Sequence, residues 1–349
     1  MTRRNFVLGA VSASLKRGNL EQASAMLERA AASGEAAGSA LLVQHGGTIY
    51  LRSFGKASTP KAVFLLASIT KPMTATAVML LKDRGELELD DSVQRFIPEF
   101  RGSGREEVRI RHLLNHTSGL PDMLPDNEGL RKRHAPLADF VSETCRTPLL
   151  FKPGTEVRYQ SMGLLLAAEI AVRVTRRPFQ NFLAEQVFGP LKMSETSLGL
   201  GGRAVRDTMQ CQVEQVSDWD WNSSYWRNLG APWGGAHSTV HDVSSFVRYF
   251  ANPDHGLLKP ETAKSMITNQ TPGLKETRGF GWKLEPPDTW GHSGSTGTDC
   301  WHDGARDLTY VLLTTRPAAQ SQRILLEPVS RLVSTSIEAT AAQRARTGK

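Results

Sequence analysis

The sequence predicts an α/β protein of the α+β type: an antiparallel sheet built from both chain ends and flanked by helices, with a mainly helical lobe inserted between them. Three observations predict it. Near the start, Ser39–His45 and Thr48–Ser53 flank Gly46-Gly47 and read as a hairpin with a tight turn. Near the end, Gly281–Leu284, Asp299–His302 and Leu308–Thr315 read as strands. Residues 64–275 between them carry mostly helical patterns and long loops.

Taken in order, Thr2-Arg3-Arg4-Asn5-Phe6-Val7-Leu8 has the form of a twin-arginine export signal, with a short apolar run from Phe6 to Leu15. The alternative for residues 1–18 is a disordered N-terminus that happens to hold two arginines, so an exported and a cytoplasmic location both stay open. Asn19 is placed to cap a helix over Leu20–Ala32, which stops before Gly34. A last helix is expected over Ser321–Ala342, with Leu325, Val329, Leu332 and Val333 on one side. The domain reading is one unit over residues 19–338, with a sheet lobe (19–63 and 276–338), a helical lobe (64–275) and a disordered tail at 339–349.

Composition narrows the function. The 349 residues are 40% hydrophobic and 22% charged, which fits a folded chain rather than a disordered one. No apolar run approaches the ~20 residues needed to cross a bilayer, so no stable membrane span is expected. Cys145, Cys211 and Cys300 are too few and too scattered for a disulfide framework or a cysteine-rich zinc site. The net charge of +7 is spread over small clusters with no interleaved aromatics, so it reads as solvated surface and no nucleic-acid partner is expected. Neither a cofactor nor a metal is expected, and the oligomeric state stays open.

The chemistry begins at Ser68-Ile69-Thr70-Lys71, an S-x-x-K pattern. Ser53…Lys56 and Ser58…Lys61 match it too, but the first lies on a strand, where residues three apart face opposite sides. Pro60 interrupts the second and favours a turn. Ser68 instead opens a helix: Ile69, Met73, Ala77, Leu80 and Leu81 recur at helical spacing, Pro72 fits only a first turn, and Gly85 supplies the stop. On that helix Lys71 reaches the Ser68 hydroxyl, and partial desolvation pushes its amine toward the neutral form. Tyr159-Gln160-Ser161 follows the Pro153-Gly154 turn and precedes a helix from Met162. A phenol there can relay protons, while a packed aromatic and an N-cap serine are the plainer reading. His292-Ser293-Gly294 lies on or beside a late strand, and the N–H of Ser295 after it could bind an oxyanion.

In this order the three elements resemble the serine β-lactamase and penicillin-recognising superfamily, in its class C β-lactamase, D-alanyl-D-alanine carboxypeptidase and family VIII esterase branches. Leu113-Leu114-Asn115-His116-Thr117-Ser118-Gly119-Leu120 is similar to that family's signature between the first two motifs, and Gly234-Gly235 and Phe280-Gly281-Trp282 also fit. The resemblance implies Ser68 as nucleophile, Lys71 as general base and Tyr159 as its partner in proton transfer. It also implies the Ser68 and Ser295 N–H groups as oxyanion hole, with His292 in place of the motif lysine and Ser161, Ser293 and Gly294 lining the substrate site.

Two departures bear on the substrate. Ser161 stands where β-lactamases usually have asparagine, which removes an amide that would hold an acylamino group. His292 weakens the fixed positive charge for a substrate carboxylate. The sequence therefore favours a serine hydrolase acting on small esters. A D-alanyl-D-alanine carboxypeptidase or weak β-lactamase acting on a peptide-like substrate is second, and a non-catalytic binding member of the fold is third. His112…His116 and His237…His241 have zinc-ligand spacing but lack the following glutamate, so they read as structural. The tryptophans between Trp219 and Trp301 either wall a cleft or pack the lobe.

Overall fold

The computed structural model describes residues 15–253 and 256–337. The expected export motif at Thr2–Leu8 and the expected tail at 339–349 lie outside the described residues. Helix α1 (Arg17–Ala32) starts before Asn19, so Asn19 is not its cap. The Asn19 amide donates instead to Leu332 O at 3.4 Å and Thr335 Oγ1 at 3.0 Å, joining the two ends of the chain. The hairpin follows as β1 (Gly38–His45) and β2 (Thr48–Gly55), in the expected place.

A short strand, β3 (Phe64–Leu65), leads through a tight 3₁₀ turn at Ala67–Ile69 into helix α2 (Thr70–Asp83). Ser68 thus sits in the turn just ahead of the helix proper. Helix α3 (Met162–Thr175) packs against α2. Two short strands, β4 (Ser197–Leu198) and β5 (Ala236–Ser238), join β3 in a three-stranded sheet ordered β3-β5-β4. These three short strands lie within the mainly helical lobe. Helix α4 (Val240–Tyr249) then leads back toward the main sheet.

The chain closes with β6 (Lys283–Glu285), β7 (Thr289–Gly294), β8 (Thr298–Asp303) and β9 (Leu308–Thr314). Two bounds differ from expectation. Gly281 is no strand residue, since its φ is +78°. The last helix ends as α5 (Glu327–Ser334) after a wide turn at Gln322–Leu326. Among the described residues no helix is long and apolar enough to cross a membrane.

The main sheet is antiparallel with the order β2-β1-β9-β8-β7-β6, so the first and last strands of the chain pair at its centre, Leu42 opposite Val311. Both central strands are buried on both faces, which explains their continuous apolar sequence. Leu41, Val43, Tyr310 and Leu312 point outward against Leu20 and Leu27 of α1 and Val329 and Val333 of α5. Ala40, Leu42, Val311 and Leu313 point inward to the core shared with α2 and α3. Helix α2 is buried from Thr70 to Leu81 and is the axis of the molecule.

The turn between β7 and β8 depends on Gly297. Its φ is +87°, and a Cβ there would lie 1.8 Å from Arg316 O. Gly46 has a similar φ of +55° but open space around it. Gly297→Ala should therefore lower the unfolding free energy by at least ~3 kcal/mol and Gly46→Ala by only ~1 kcal/mol, as measured by urea denaturation.

Candidate active site

The candidate nucleophile is held from three sides. Ala67 has a left-handed φ of +48° without being glycine, and this bend turns the chain from β3 into α2 and presents Ser68. Thr70 Oγ1 donates to Ala67 O at 2.7 Å and accepts from Ala236 N at 3.0 Å, which locks the bend to the Gly234-Gly235 segment. From the main sheet, Thr296 Oγ1 donates to Leu65 O and Thr298 Oγ1 to Leu66 O, both at 2.7 Å. Gly294 closes this side: a Cβ there would lie 2.3 Å from Leu66 O. Only glycine lets the end of β7 lie this close to the nucleophile turn.

Lys71 Nζ lies 3.0 Å from Ser68 Oγ and donates to Trp233 O at 2.9 Å. The side chain is 1% exposed. Burial pulls its pKa from 10.5 down to about 7, against an opposing pull from the Asp122 carboxylate. With one N–H spent on the Trp233 carbonyl, the neutral amine has its lone pair free for the Ser68 hydroxyl. Burial brings the amine close to its neutral form near pH 7, and the Trp233 carbonyl fixes where it points.

Tyr159 lies over this pair, its ring centroid 4.7 Å from Lys71 Nζ. Burial raises its pKa, while a hydrogen bond with the Ser68 side chain acts in the opposite direction. The phenol therefore stays protonated in the neutral range. The Asn115–Gly119 segment is what positions it. Gln160 N donates to His116 Nδ1 at 3.2 Å, Gln160 Nε2 to His112 O at 2.9 Å, and Ser118 Oγ to Gln160 Oε1 at 2.5 Å. Gly119, at φ +83°, packs where a Cβ would meet Phe151 O at 2.4 Å. His116 packs against Tyr159 at 4.9 Å between ring centroids, and His112 Nδ1 accepts from Arg109 N. Both histidines of this pair thus make backbone hydrogen bonds.

His292 is buried on β7, its ring centroid 6.0 Å from that of Tyr159. Burial, with Lys71 nearby, lowers its pKa to about 3. Its Nδ1 lies 2.8 Å from Ser293 O, a partner that can only accept, so the proton is on Nδ1 and Nε2 offers a bare lone pair. His292 is therefore an uncharged acceptor in the neutral range.

The remaining expected site residues divide. Gly294 and the exposed Ser295 lie at the end of β7 beside the nucleophile turn. The Ser161 hydroxyl donates to Asp122 Oδ1 at 2.6 Å and makes no cap bond to α3, although Ser161 occupies the capping position. Ser293 lies on the opposite strand face from His292 and Gly294, exposed in the wall of a separate cavity, which does not place its hydroxyl with Ser68 and Lys71. Two charged residues had no motif to announce them. Asp122 neighbours Ser161 and Lys71, and the Arg278 guanidinium lies 5.7 Å from the Tyr159 ring centroid while pairing with Glu276 at 2.8 Å. Trp233 and Trp226 pack together with centroids 6.3 Å apart, a core role that leaves the Trp233 carbonyl free for Lys71.

A six-stranded antiparallel sheet flanked by helices, with a mainly helical lobe set into it, is the β-lactamase/transpeptidase class of fold. The chain belongs to the Beta-lactamase family, whose profile matches residues 23–333. Protein flp of Staphylococcus aureus (strain NCTC 8325 / PS 47) is 23% identical over 280 residues, 74% of this chain and 53% of that protein. Penicillin-binding protein 4* of Bacillus subtilis (strain 168) is 34% identical over 170 residues, 46% of this chain and 37% of that protein. The chain thus spans about half the length, or less, of these curated relatives. Among solved structures, EstCE1, a hydrolase with promiscuous acyltransferase activity, has a TM-score of 0.76 at 20% identity, covering 91% of this chain and 99% of that one. The D-amino acid amidase of Ochrobactrum anthropi SV3 complexed with D-phenylalanine has a TM-score of 0.75 at 22% identity, covering 91% and 98%. At these identities the structural likeness is one of fold.

Intact-mass analysis after exposure to a fluorophosphonate should show a single adduct that Ser68→Ala abolishes, while Ser53→Ala and Ser58→Ala retain it. Lys71→Ala and Tyr159→Phe should each lower kcat for an activated ester by ~10²-fold or more with little change in KM. In the unsubstituted protein kcat/KM should fall as pH drops through about 7, because protonation of Lys71 removes the base. A pH profile flat from 5.5 to 8 would reject Lys71 as that base.

Proposed function

We propose that this protein is a serine hydrolase that works through an acyl-enzyme at Ser68, with small carboxylic esters as its substrates. The observation that carries the reading is the fully buried Lys71 amine, 3.0 Å from Ser68 Oγ and close to neutral at pH 7. Lys71 Nζ takes the Ser68 proton as Oγ forms its bond to the substrate carbonyl carbon. The oxyanion is met by the N–H groups of Ser68 and Ser295. The alkoxide leaves with a proton passed from Lys71 by way of the Tyr159 phenol. Water then attacks the acyl-enzyme, gives a proton back along the same route and releases the acid.

The ester preference rests on what surrounds this machinery. Ser161 has its hydroxyl engaged with Asp122 and has no amide to offer an acylamino side chain. His292 is neutral, so β7 supplies no cation for a carboxylate. A short acyl ester needs neither contact. One observation favours a second reading, hydrolysis of D-amino-acid amides or peptides: the exposed Asp122 carboxylate beside Ser161 suits a substrate α-ammonium group.

Short-chain nitrophenyl esters should exceed benzylpenicillin and D-alanyl-D-alanine peptides by at least ~10²-fold in kcat/KM, since each missing polar contact is worth ~1–3 kcal/mol. Steady-state kinetics on the three substrate classes decides this, and efficient penicillin turnover would overturn the ester reading. A D-amino-acid amide that outruns the esters, and loses ~10-fold or more on Asp122→Asn, would move the assignment to the second reading.

A further inference from the structure

The face of the main sheet turned away from Ser68 contains a cavity of about 490 Å³ under helix α5. Its origin is the row of residues across the strands. Lys283 of β6, Gly291 of β7 and Trp301 of β8 are register partners, and Gly291 contributes no side chain to fill the space between its neighbours. Nor can the gap be filled by substitution, because a Cβ at 291 would lie 2.5 Å from Cys300 O and 2.8 Å from Trp301 Cβ. The glycine keeps an open pit in the middle of an otherwise covered sheet face.

The walls of this pit hold four carboxyl groups and three cations. Two cations are already neutralised, Lys283 by Glu285 at 2.8 Å and Arg306 by Asp303 at 2.7 Å. Asp299 has no side-chain partner among the described residues. Two residues further along the same face of β8, the Trp301 indole is fixed as a platform: its Nε1 donates to Ser330 Oγ at 2.9 Å and its ring stacks on Tyr310 at 5.1 Å between centroids. A carboxyl whose nearest cation, Lys283, is already paired with Glu285, set next to a rigid aromatic surface, is the chemistry that selects a cation.

We propose that this cavity is a second binding site, for a small organic cation, with a primary ammonium or guanidinium group on a short alkyl stem seated between Asp299 and Trp301. The cationic head hydrogen-bonds to the Asp299 carboxylate, and the stem lies on the indole. Burial raises the pKa of the vacant Asp299 carboxyl to about 7, so the ligand binds to the ionised form and the site strengthens as pH rises. Lys283 and Glu285 from β6 act on Asp299, which in turn acts on Cys300 of β8 and Tyr310 of β9, and His292 of β7, Asp303 of β8, Arg306 after it, and Glu327 and Arg331 of α5 line the same cavity.

Isothermal titration calorimetry of the full chain with butane-1,4-diamine tests this, with glutarate as the probe of opposite charge. Saturable diamine binding is expected, weakened at least ~10-fold by Asp299→Asn and strengthened by Arg331→Glu on the exposed face of α5. Affinity for the unsubstituted protein should fall ~10-fold between pH 8 and pH 6, and Asp299→Asn should flatten that slope. Ser68→Ala should bind the diamine as well as the parent does, which separates this site from the hydrolytic one. No saturation by 20 mM probe, unchanged affinity in Asp299→Asn, or tighter binding of glutarate than of the diamine would each overturn the proposal.

Discussion

The constraint on which this structure depends is a lysine kept out of water. A lysine amine in solvent titrates near 10.4 and holds its proton at neutral pH, so Lys71 serves as a base only if the molecule removes water from it. The fold does this with helix α2, whose residues from Thr70 to Leu81 are all buried, at the junction of the main sheet and the helical lobe. Burial alone would leave the amine without a partner. The Trp233 carbonyl supplies one, and it belongs to the segment whose Ala236 N–H secures Thr70. Burial lowers the lysine pKa, and the Trp233 carbonyl holds the amine beside Ser68.

The same junction explains the strain beside the nucleophile. Ala67 in a left-handed conformation costs on the order of 1–3 kcal/mol, and such a bend persists only where its neighbours over-determine it. Here they do so from both lobes. Thr296 and Thr298 bond the carbonyls of Leu65 and Leu66 from the sheet side, and Thr70 and Ala236 hold the helical side. The Asn115–Gly119 segment acts one step further out. His116 and Ser118 of this segment, with the His112 carbonyl just before it, hold the Gln160 N–H and side-chain amide, and so the position of Tyr159.

What the sequence made legible were the local relations. The hairpin could be read because Gly46-Gly47 separates two apolar runs, and the Ser68–Lys71 pair because three residues make almost one helical turn. Long-range relations were not legible. Asn19 looks like a helix cap in its own neighbourhood, yet its partners lie more than 300 residues away. The strands of the small sheet have two or three residues, too few for periodicity to show. Asp122 and Arg278 are single charged residues in loops, and only the fold brings them to Tyr159 and Lys71. Ser293 followed its motif neighbours into the site on paper, but strand alternation turns it to the other face.

The charge pattern that results has a direct bearing on substrate choice. Of the basic groups near the Ser68 hydroxyl, Lys71 must be neutral to work and His292 is neutral because it is buried. The Arg278 guanidinium is already occupied by Glu276 at 2.8 Å. A substrate carboxylate would have to displace Glu276 or protonate a buried imidazole, and each costs free energy that an uncharged ester does not spend. His292 Nε2, left with a lone pair, instead rewards a donor: the Tyr159 phenol, a water or a substrate N–H. A site whose basic groups are neutral or engaged, with the Asp122 carboxylate at its edge, is the electrostatic ground on which the proposed preference for uncharged esters rests.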